Sequence, residues 1–316
     1  MANTFLTEDV AGLDIADTYV AATRIGSTPN GGLELRNAGW VIHEPGLPDT
    51  VLASAIRSLW RRCGMPTSTV CSAMHNPSIA FRYFKHGNVS PSELEAALWL
   101  QGEELLHKSR GEIAMDWLLN RSACGCTPPD GEVANEGILV AVPAKDVDRH
   151  LAILEMAGLF PVILDVGCLA LSNIFLELCR ESVAKGPLCL INLSDHFADM
   201  AIVCDADWIY PHAIVFNATR PEDSIAYLCD SINNVLRFHQ YKLRRSPVTR
   251  IVIAGKLPIP SQLQAALQKG AGLPVEIWNP LQKMTVRPAG LARRLAANPD
   301  IGPLLATSLG LALRRD

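Results

Sequence analysis

Residues 188–203 read LCLINLSDHFADMAIV: an apolar run, a short polar turn, then a second run in Asp199-Met200-Ala201-Ile202-Val203. Short apolar runs bounded by turn residues are the pattern of a β-hairpin entering a buried sheet. Residues 10–25, VAGLDIADTYVAATRI, repeat the plan: strand, polar turn holding Asp17-Thr18, strand. One supersecondary unit thus occurs twice, about half a chain apart. Each turn would present backbone N–H groups and short oxygen-bearing side chains toward one cleft. The rest of the chain reads as two lobes built on these hairpins.

The 316 residues are enough for two domains with real cores. Apolar residues make up 49% and charged residues 19%, a globular balance and not a disordered one. A net charge of −4 and a pI near 6.1 give no electrostatic case for nucleic acid or an anionic membrane. No run approaches the length of a membrane span, and MANTFLTEDV does not read as a signal peptide. Of nine cysteines, Cys71, Cys168, Cys179, Cys189, Cys204 and Cys229 sit in apolar runs, where a thiol behaves as a small hydrophobe. That usage suits a reducing cytosol. Cys124-Gly125-Cys126 is a close pair without a second pair to complete a zinc site, so it reads as loop.

After the first hairpin, a strand from Leu33 leads to a helix begun by Asp49 as cap and ended by Gly64, then to a strand over Thr69–Met74. Ser90-Pro91-Ser92-Glu93 is a capping box with proline at the first helical position. Residues 121–137 are loop chemistry, Ile138–Val142 a buried strand, and the helix after Pro143 turns Val147, Leu151 and Leu154 inward before Gly158. Strand, helix, strand, strand, helix indicates a small α+β subdomain at about 75–160, inserted into a first lobe of residues 1–186. Gly186-Pro187 opens a second lobe, 187–316, whose final apolar helix at 303–313 can pack back on the first. In between, Thr219 and Glu222 form a capping box, and the long helix after them ends in Lys242, Arg244 and Arg245, cations suited to a helix C-terminus.

Two hairpins and a late strand ending in glycine resemble the actin-like (ASKHA) ATPase fold. More closely, residues 140–151 (VAVPAKDVDRHL), followed by LEMAGLFPV from Leu154 and LDV from Leu164, resemble the type IV pilus assembly protein PilM family. Gly12–Ile15 (GLDI), the SELEAALWLQGEELL helix from Ser92 and the ending SLGLALR from Ser308 fit as well, so the resemblance spans essentially the whole chain. It implies an α/β, two-lobed protein with nucleotide between the lobes. It implies a cytoplasmic scaffold, peripheral to the inner membrane through a partner, that binds the N-terminal cytoplasmic tail of a PilN-like protein and meets other platform or motor components. Two other readings stay open: a functional actin-fold ATPase or kinase, and the cytoplasmic part of a type II secretion L-like protein, which would be expected to continue into a membrane span.

On that resemblance the nucleotide site would be Asp14, Asp17, Thr18, Asn192, Ser194, Asp195, Gly255 and Lys256, with ATP and Mg²⁺ as cofactors. Asp14 would hold a metal-bound water, Thr18 and Ser194 would meet phosphate, and Gly255 would approach base or ribose. The chain departs from the family's DIGSSSVK at Ala16, Asp17 and Ala21, and from its DIGASST at Asn192 and Ser194; one glycine, Gly255, remains of the late SGGG. Asp17 puts a negative charge where phosphate would sit, so the site reads as degenerate and the protein as a non-enzyme. On the alternative reading Asp14 and Asn192 only bond the turn backbone.

Histidines 43, 75, 86, 107, 150, 196, 212 and 239 are scattered; His150 and His239 read as helix-surface or core-edge residues, and His196 as a hairpin tip. No Gly-x-Ser-x-Gly, His-Glu-x-x-His or Walker pattern is present. Trp99 and Trp117 are candidate anchors of a partner groove in the inserted subdomain, against the alternative of core filling.

Overall fold

The computed structural model describes residues 10–120, 135–205, 208–216, 221–256 and 261–314. The Cys124–Cys126 pair and Thr219 of the expected capping box lie outside the described residues. The first hairpin is β1 (Ala11–Ile15) and β2 (Tyr19–Ser27), followed by β3 (Leu33–Ile42), α1 (Asp49–Arg62) and β4 (Thr69–Met74). β1 pairs antiparallel with β2 and parallel with β4 and is buried throughout, which is why it is apolar at every position but Asp14. Asp49 is the first helical residue and not the cap: no side chain caps α1, and the Asp49 carboxylate instead takes a forked pair from Arg149 at 2.7–3.1 Å. That guanidinium holds the carboxyl below its usual range.

The inserted segment is β5 (Ala80–His86), α2 (Pro91–Leu106), β6 (Ile113–Leu119), β7 (Asn135–Pro143) and α3 (Ala144–Ala157). The Ser90–Glu93 capping box forms as read, and Gly158 ends α3 with φ 78°. β5, β7 and β6 make a separate three-stranded sheet. Along β6, Met115 and Trp117 pack on the core under α2, while Ala114 turns toward a cluster shared with Val147 of α3. Leu151, expected inward, is exposed; Ile153 and Leu154 carry the inner face of α3 instead.

β8 (Phe160–Val166) returns to the first sheet and leads into α4 (Gly167–Val183). The second hairpin is β9 (Leu188–Leu193) and β10 (Phe197–Asp205), followed by β11 (Trp208–Val215), α5 (Pro221–Arg237), β12 (Arg250–Gly255), α6 (Ser261–Ala271) and β13 (Val275–Ile277). The strand orders are β14-β3-β2-β1-β4-β8 and β11-β10-β9-β12-β13, where β14 is Thr285–Val286. Five consecutive strands of the first sheet thus match the second in order and direction. The hairpin turns match too: Ala16 N–H donates to Tyr19 O at 2.9 Å, and Ser194 N–H to Phe197 O at 2.8 Å.

Between the sheets lie α4 and the C-terminal helices α7 (Ala289–Ala296), α8 (Ile301–Leu304) and α9 (Ala306–Ala312). The expected single final helix is two short ones, broken at Leu305. α9 packs on β1, β2 and β4 and crosses α4 so closely that a Cβ at Gly310 would strike the Ala170 carbonyl. Phe175, Leu190, Ala201, Trp278 and Leu309 share one core that joins the two sheets. Arg245, expected at a solvated helix end, is buried and ion-paired with Glu136 of β7, behind a π-turn at Phe238–Lys242. His239, in the same turn, is fully buried, and that burial pushes its imidazole down to about 4. Cys204 is disulfide-bonded and not a free apolar filler; Cys71, Cys168, Cys179, Cys189 and Cys229 are free and buried.

Candidate functional site

The two hairpins meet tip to tip, and the residues between them bond to one another. Asp14 is the next-to-last residue of β1 and Asp199 lies on β10; both side chains are buried, and His75, just after β4, lies between them. The imidazole Nε2 is 2.5 Å from Asp14 Oδ1 and Nδ1 is 2.5 Å from Asp199 Oδ2. Tyr19 donates its hydroxyl to the other Asp14 oxygen at 3.0 Å. Burial alone would push the imidazole down, but the two carboxylates outweigh it and hold His75 well above its ordinary range, as a cation. Burial and the Asp14 charge push the Tyr19 phenol far up, so it stays a neutral donor.

His150 of α3 reaches this cluster from behind. Ser72 donates its hydroxyl to Leu13 O at 3.0 Å, so the His150 Nε2–H, 2.9 Å away, donates to the Ser72 oxygen. Burial first, then the positive charge of His75, push His150 down to about 4. It is therefore a neutral, half-buried ring at the core edge, one of the two places its helical spacing allowed.

A second cation crosses at the outer end of the cleft. Lys256 follows β12 and donates to Thr18 Oγ1 at 3.0 Å and to the Asp195 carboxylate. Burial would push the Asp195 carboxyl up, but hydrogen bonds from Lys256 and Thr18 and the nearby cationic charge hold it below its usual range. Beside it, His196 Nδ1 is 2.9 Å from Asp17 Oδ2. His75 and Lys256 are equivalent positions of the two lobes. Asp14 faces Ala73 across β1 and β4, Asn192 faces Ala254 across β9 and β12, and each cation lies two residues beyond. Each bonds a carboxylate of its own lobe and a side chain of the other.

Backbone geometry is tight here. Gly255 has φ 103°, and a Cβ would strike the Leu193 carbonyl and the Asn192 amide. A Cβ at Gly167, where α4 begins, would collide with the His75 ring and the Asp199 carboxylate. Of the sequence-read residues, Asp14, Asp17, Thr18, Asp195 and Lys256 thus join one interlobe network. Asn192 is buried with its Oδ1 unpartnered, and the Ser194 hydroxyl donates to Phe197 O at 3.0 Å within its own turn. The sequence reading missed His75 and Asp199 as a pair. Their one signal was a histidine directly after a buried parallel strand, matched by Lys256 in the second lobe.

A second feature lies at the junction with the inserted subdomain. β8 and β6 are edge strands of two different sheets. Leu164 and Val166 of β8 share an apolar cluster with Ala114 of β6, so the two edges converge. Phe160 and Val162 on β8 and Leu118 and Leu119 on β6 are exposed, Phe160 at 67%. Trp117 is half-buried against the α2 core, and the half-buried Trp99 carries Arg110 over its ring at 4.2 Å. A neighbouring cavity of about 260 Å³ between the first turn and α3 is lined by His43, His75, Asp146 and His150, among others.

No protein-family profile and no curated protein matches the sequence. By structure the chain is similar to a chain of a PilM–PilN type IV pilus biogenesis complex, with a TM-score of 0.79 over 97% of this chain and 98% of that one, at 17% identity. The chain has the actin-like ATPase fold. Two further neighbours are more distant. A Bacteroides thetaiotaomicron protein with an actin-like ATPase fold has a TM-score of 0.48 at 10% identity, covering 88% of this chain and 92% of its own. The cytoplasmic domain of EpsL, an inner-membrane component of the Vibrio cholerae type II secretion system, also has 0.48 at 10% identity, over 94% and 98%. Among the described residues, no helix is long and apolar enough to cross a membrane.

Proposed function

We propose that this protein is a cytoplasmic scaffold of a type IV pilus or related secretion machine. It holds the N-terminal cytoplasmic tail of a PilN-like inner-membrane protein in the groove between β6 and β8. Its interlobe cleft is set by its own side chains, without turnover of nucleotide. The observation that carries the partner half is the pair of converging strand edges with exposed Leu118, Leu119, Phe160 and Val162 beside them. An extended peptide gains main-chain hydrogen bonds from such an edge and side-chain pockets from the apolar residues beside it. The similarity over 97% of the chain to a PilM–PilN complex supports the same assignment.

The residues of the cleft do not fit a Mg²⁺–nucleotide. The carboxylates that would face a metal, Asp14 and Asp199, already share an internal cation. The turns that would cradle phosphate carry Asp17 and Asp195, each already bonded to a side chain of this chain, His196 and Lys256. A phosphate between them would face two carboxylates and would have to displace both of these pairs.

Two titrations test the two halves. A synthetic peptide of the partner's N-terminal tail should bind the full chain and lose at least tenfold in affinity in Leu118→Arg and in Val162→Arg. Unchanged affinity in both variants would remove the groove assignment. Calorimetry with ATP and Mg²⁺ should show no heat at millimolar nucleotide; micromolar binding would overturn the closed-cleft reading while leaving the groove untouched.

A further inference from the structure

Toward the opposite edge of the first sheet from β8, β3, the end of α1 and α7 enclose two adjoining cavities of about 160 and 130 Å³. We propose that these cavities form an anion site that takes a phosphate group. One water needs only about 10–15 Å³ of such space, so there is room for a larger occupant. Three arginines line it: Arg36 of β3, Arg62 of α1 and Arg294 of α7. Neither cavity has a carboxylate in its lining. The nearest acid paired with this cluster is Glu34, shared between Arg36 and Arg287 at 3.4 Å each. A chain of net charge −4 thus concentrates positive charge at one hollow.

The local structure favours an anion there. Arg294 is held in place by donating to Ala38 O at 2.5 Å and by lying over the Trp40 ring at 4.7 Å, so little freedom remains to be lost on binding. The end of α1 also points here, and its free carbonyls would repel an anion. Asn37 removes that obstacle: its amide donates to Cys63 O at 3.0 Å and Gly64 O at 3.1 Å. Trp40 and Leu59 supply apolar wall, which strengthens charge-assisted bonds to bound oxygen. Arginine is the side chain whose fork matches phosphate oxygens, and three of them around one hollow can meet a tetrahedral anion from several sides. The phosphate can belong to a soluble anion or to the headgroup of an anionic lipid.

The test uses the full chain with pyrophosphate in calorimetry, and with phosphatidylglycerol or phosphatidylcholine vesicles in flotation, at low and at physiological salt. The variants are Arg36→Gln and Arg62→Gln, singly and together, leaving Arg294 to anchor α7. Arg237→Gln with Lys242→Gln serves as a control on the other lobe. Each site variant should weaken binding about fivefold. Pyrophosphate binding lost in the double variant, without vesicle flotation, assigns a soluble phosphate; flotation with phosphatidylglycerol alone, lost in the same variant, assigns a headgroup. The proposal fails if wild type binds neither probe, if the double variant binds as wild type does, or if the control pair loses as much as the site pair.

Discussion

Replacing His75 with alanine should be the most damaging single change in the cleft. It leaves Asp14 and Asp199 buried and facing each other without the cation between them. Removing one partner of a buried ion pair typically costs about 3–5 kcal/mol, because the remaining charge is left uncompensated. Like-charge repulsion adds to this. The two 2.5 Å contacts lie on opposite sides of the ring, so the carboxylates are on the order of 7 Å apart, worth ~2 kcal/mol at an effective dielectric of 20. These terms overlap, since a carboxyl that takes up a proton escapes both, so about 4 kcal/mol is the expected loss near pH 7.

The sign with pH follows from the same groups. In wild type the His75 pKa is raised on folding, so its contribution is complete below the unfolded value near 6.5. That contribution is lost as pH rises through the higher folded value. In the variant the contribution is gone, and burial raises the Asp199 carboxyl, as it already does in wild type. The cost is therefore present at neutral pH and is relieved as pH falls and Asp199 protonates. Guanidinium unfolding curves at pH 7 and pH 4.5 would measure it: a gap of about 4 kcal/mol that narrows in acid. Adding Asp199→Asn to the variant should recover part of the loss at pH 7. A gap under 1 kcal/mol at pH 7, or one that does not narrow in acid, would refute the internal-cation argument.

Three further changes test the surrounding contacts. Lys256→Ala should cost only about 0.5–1 kcal/mol, because its partner Asp195 is partly exposed and water screens the pair; a loss above 2 kcal/mol by denaturation would make it, and not His75, the main tie. Gly167→Ala drives a methyl into the His75 ring and the Asp199 carboxylate, so an overpacking loss of about 1–3 kcal/mol is expected, much reduced when His75 is already alanine. Glu136→Gln replaces the carboxylate paired with the buried Arg245 guanidinium by a neutral amide and should cost about 3 kcal/mol, read in the same unfolding curves.

Much of the architecture is legible in the chain because it is local. The two hairpins, the Ser90–Glu93 box and the Gly158 stop are short-range patterns, and all three form as read. β6 was harder to place: it is short, edge-exposed and interrupted by Asp116, so its alternation of Met115 and Trp117 against Ala114 is weak. The site was legible in its parts and not in its pairing. Asp14, Asp17, Thr18, Asp195 and Lys256 stand out by their place at strand ends, but Asp14 and Asp199 lie 61 and 124 positions from His75. No local pattern marks such a contact; only the duplicated strand order does, by bringing the ends of β4 and β12 to equivalent places. Asp49 departs from its helical rule for a related reason, since it bonds Arg149, a residue far away in sequence.

The cation between the lobes and the groove at the subdomain edge are joined by covalent structure, which gives a last expectation. β8 forms one wall of the groove and ends at Val166; the next residue is Gly167, packed against His75 and Asp199. β7 runs beside β6 and leads through Pro143 into α3, whose His150 rests on Ser72 behind the same cluster. A peptide that orders β8 and β6 therefore acts on both elements that frame His75, and a change at His75 acts back on the groove. Such coupling is reciprocal and typically changes affinity by about 5- to 150-fold. The partner peptide should bind His75→Ala at least fivefold more weakly than wild type, although no groove residue is altered. It should also protect wild type from unfolding more than its affinity for the variant would allow. Equal affinity for the two proteins would mean that groove and cleft are independent, and the scaffold would then hold its partner without sensing how its lobes are set.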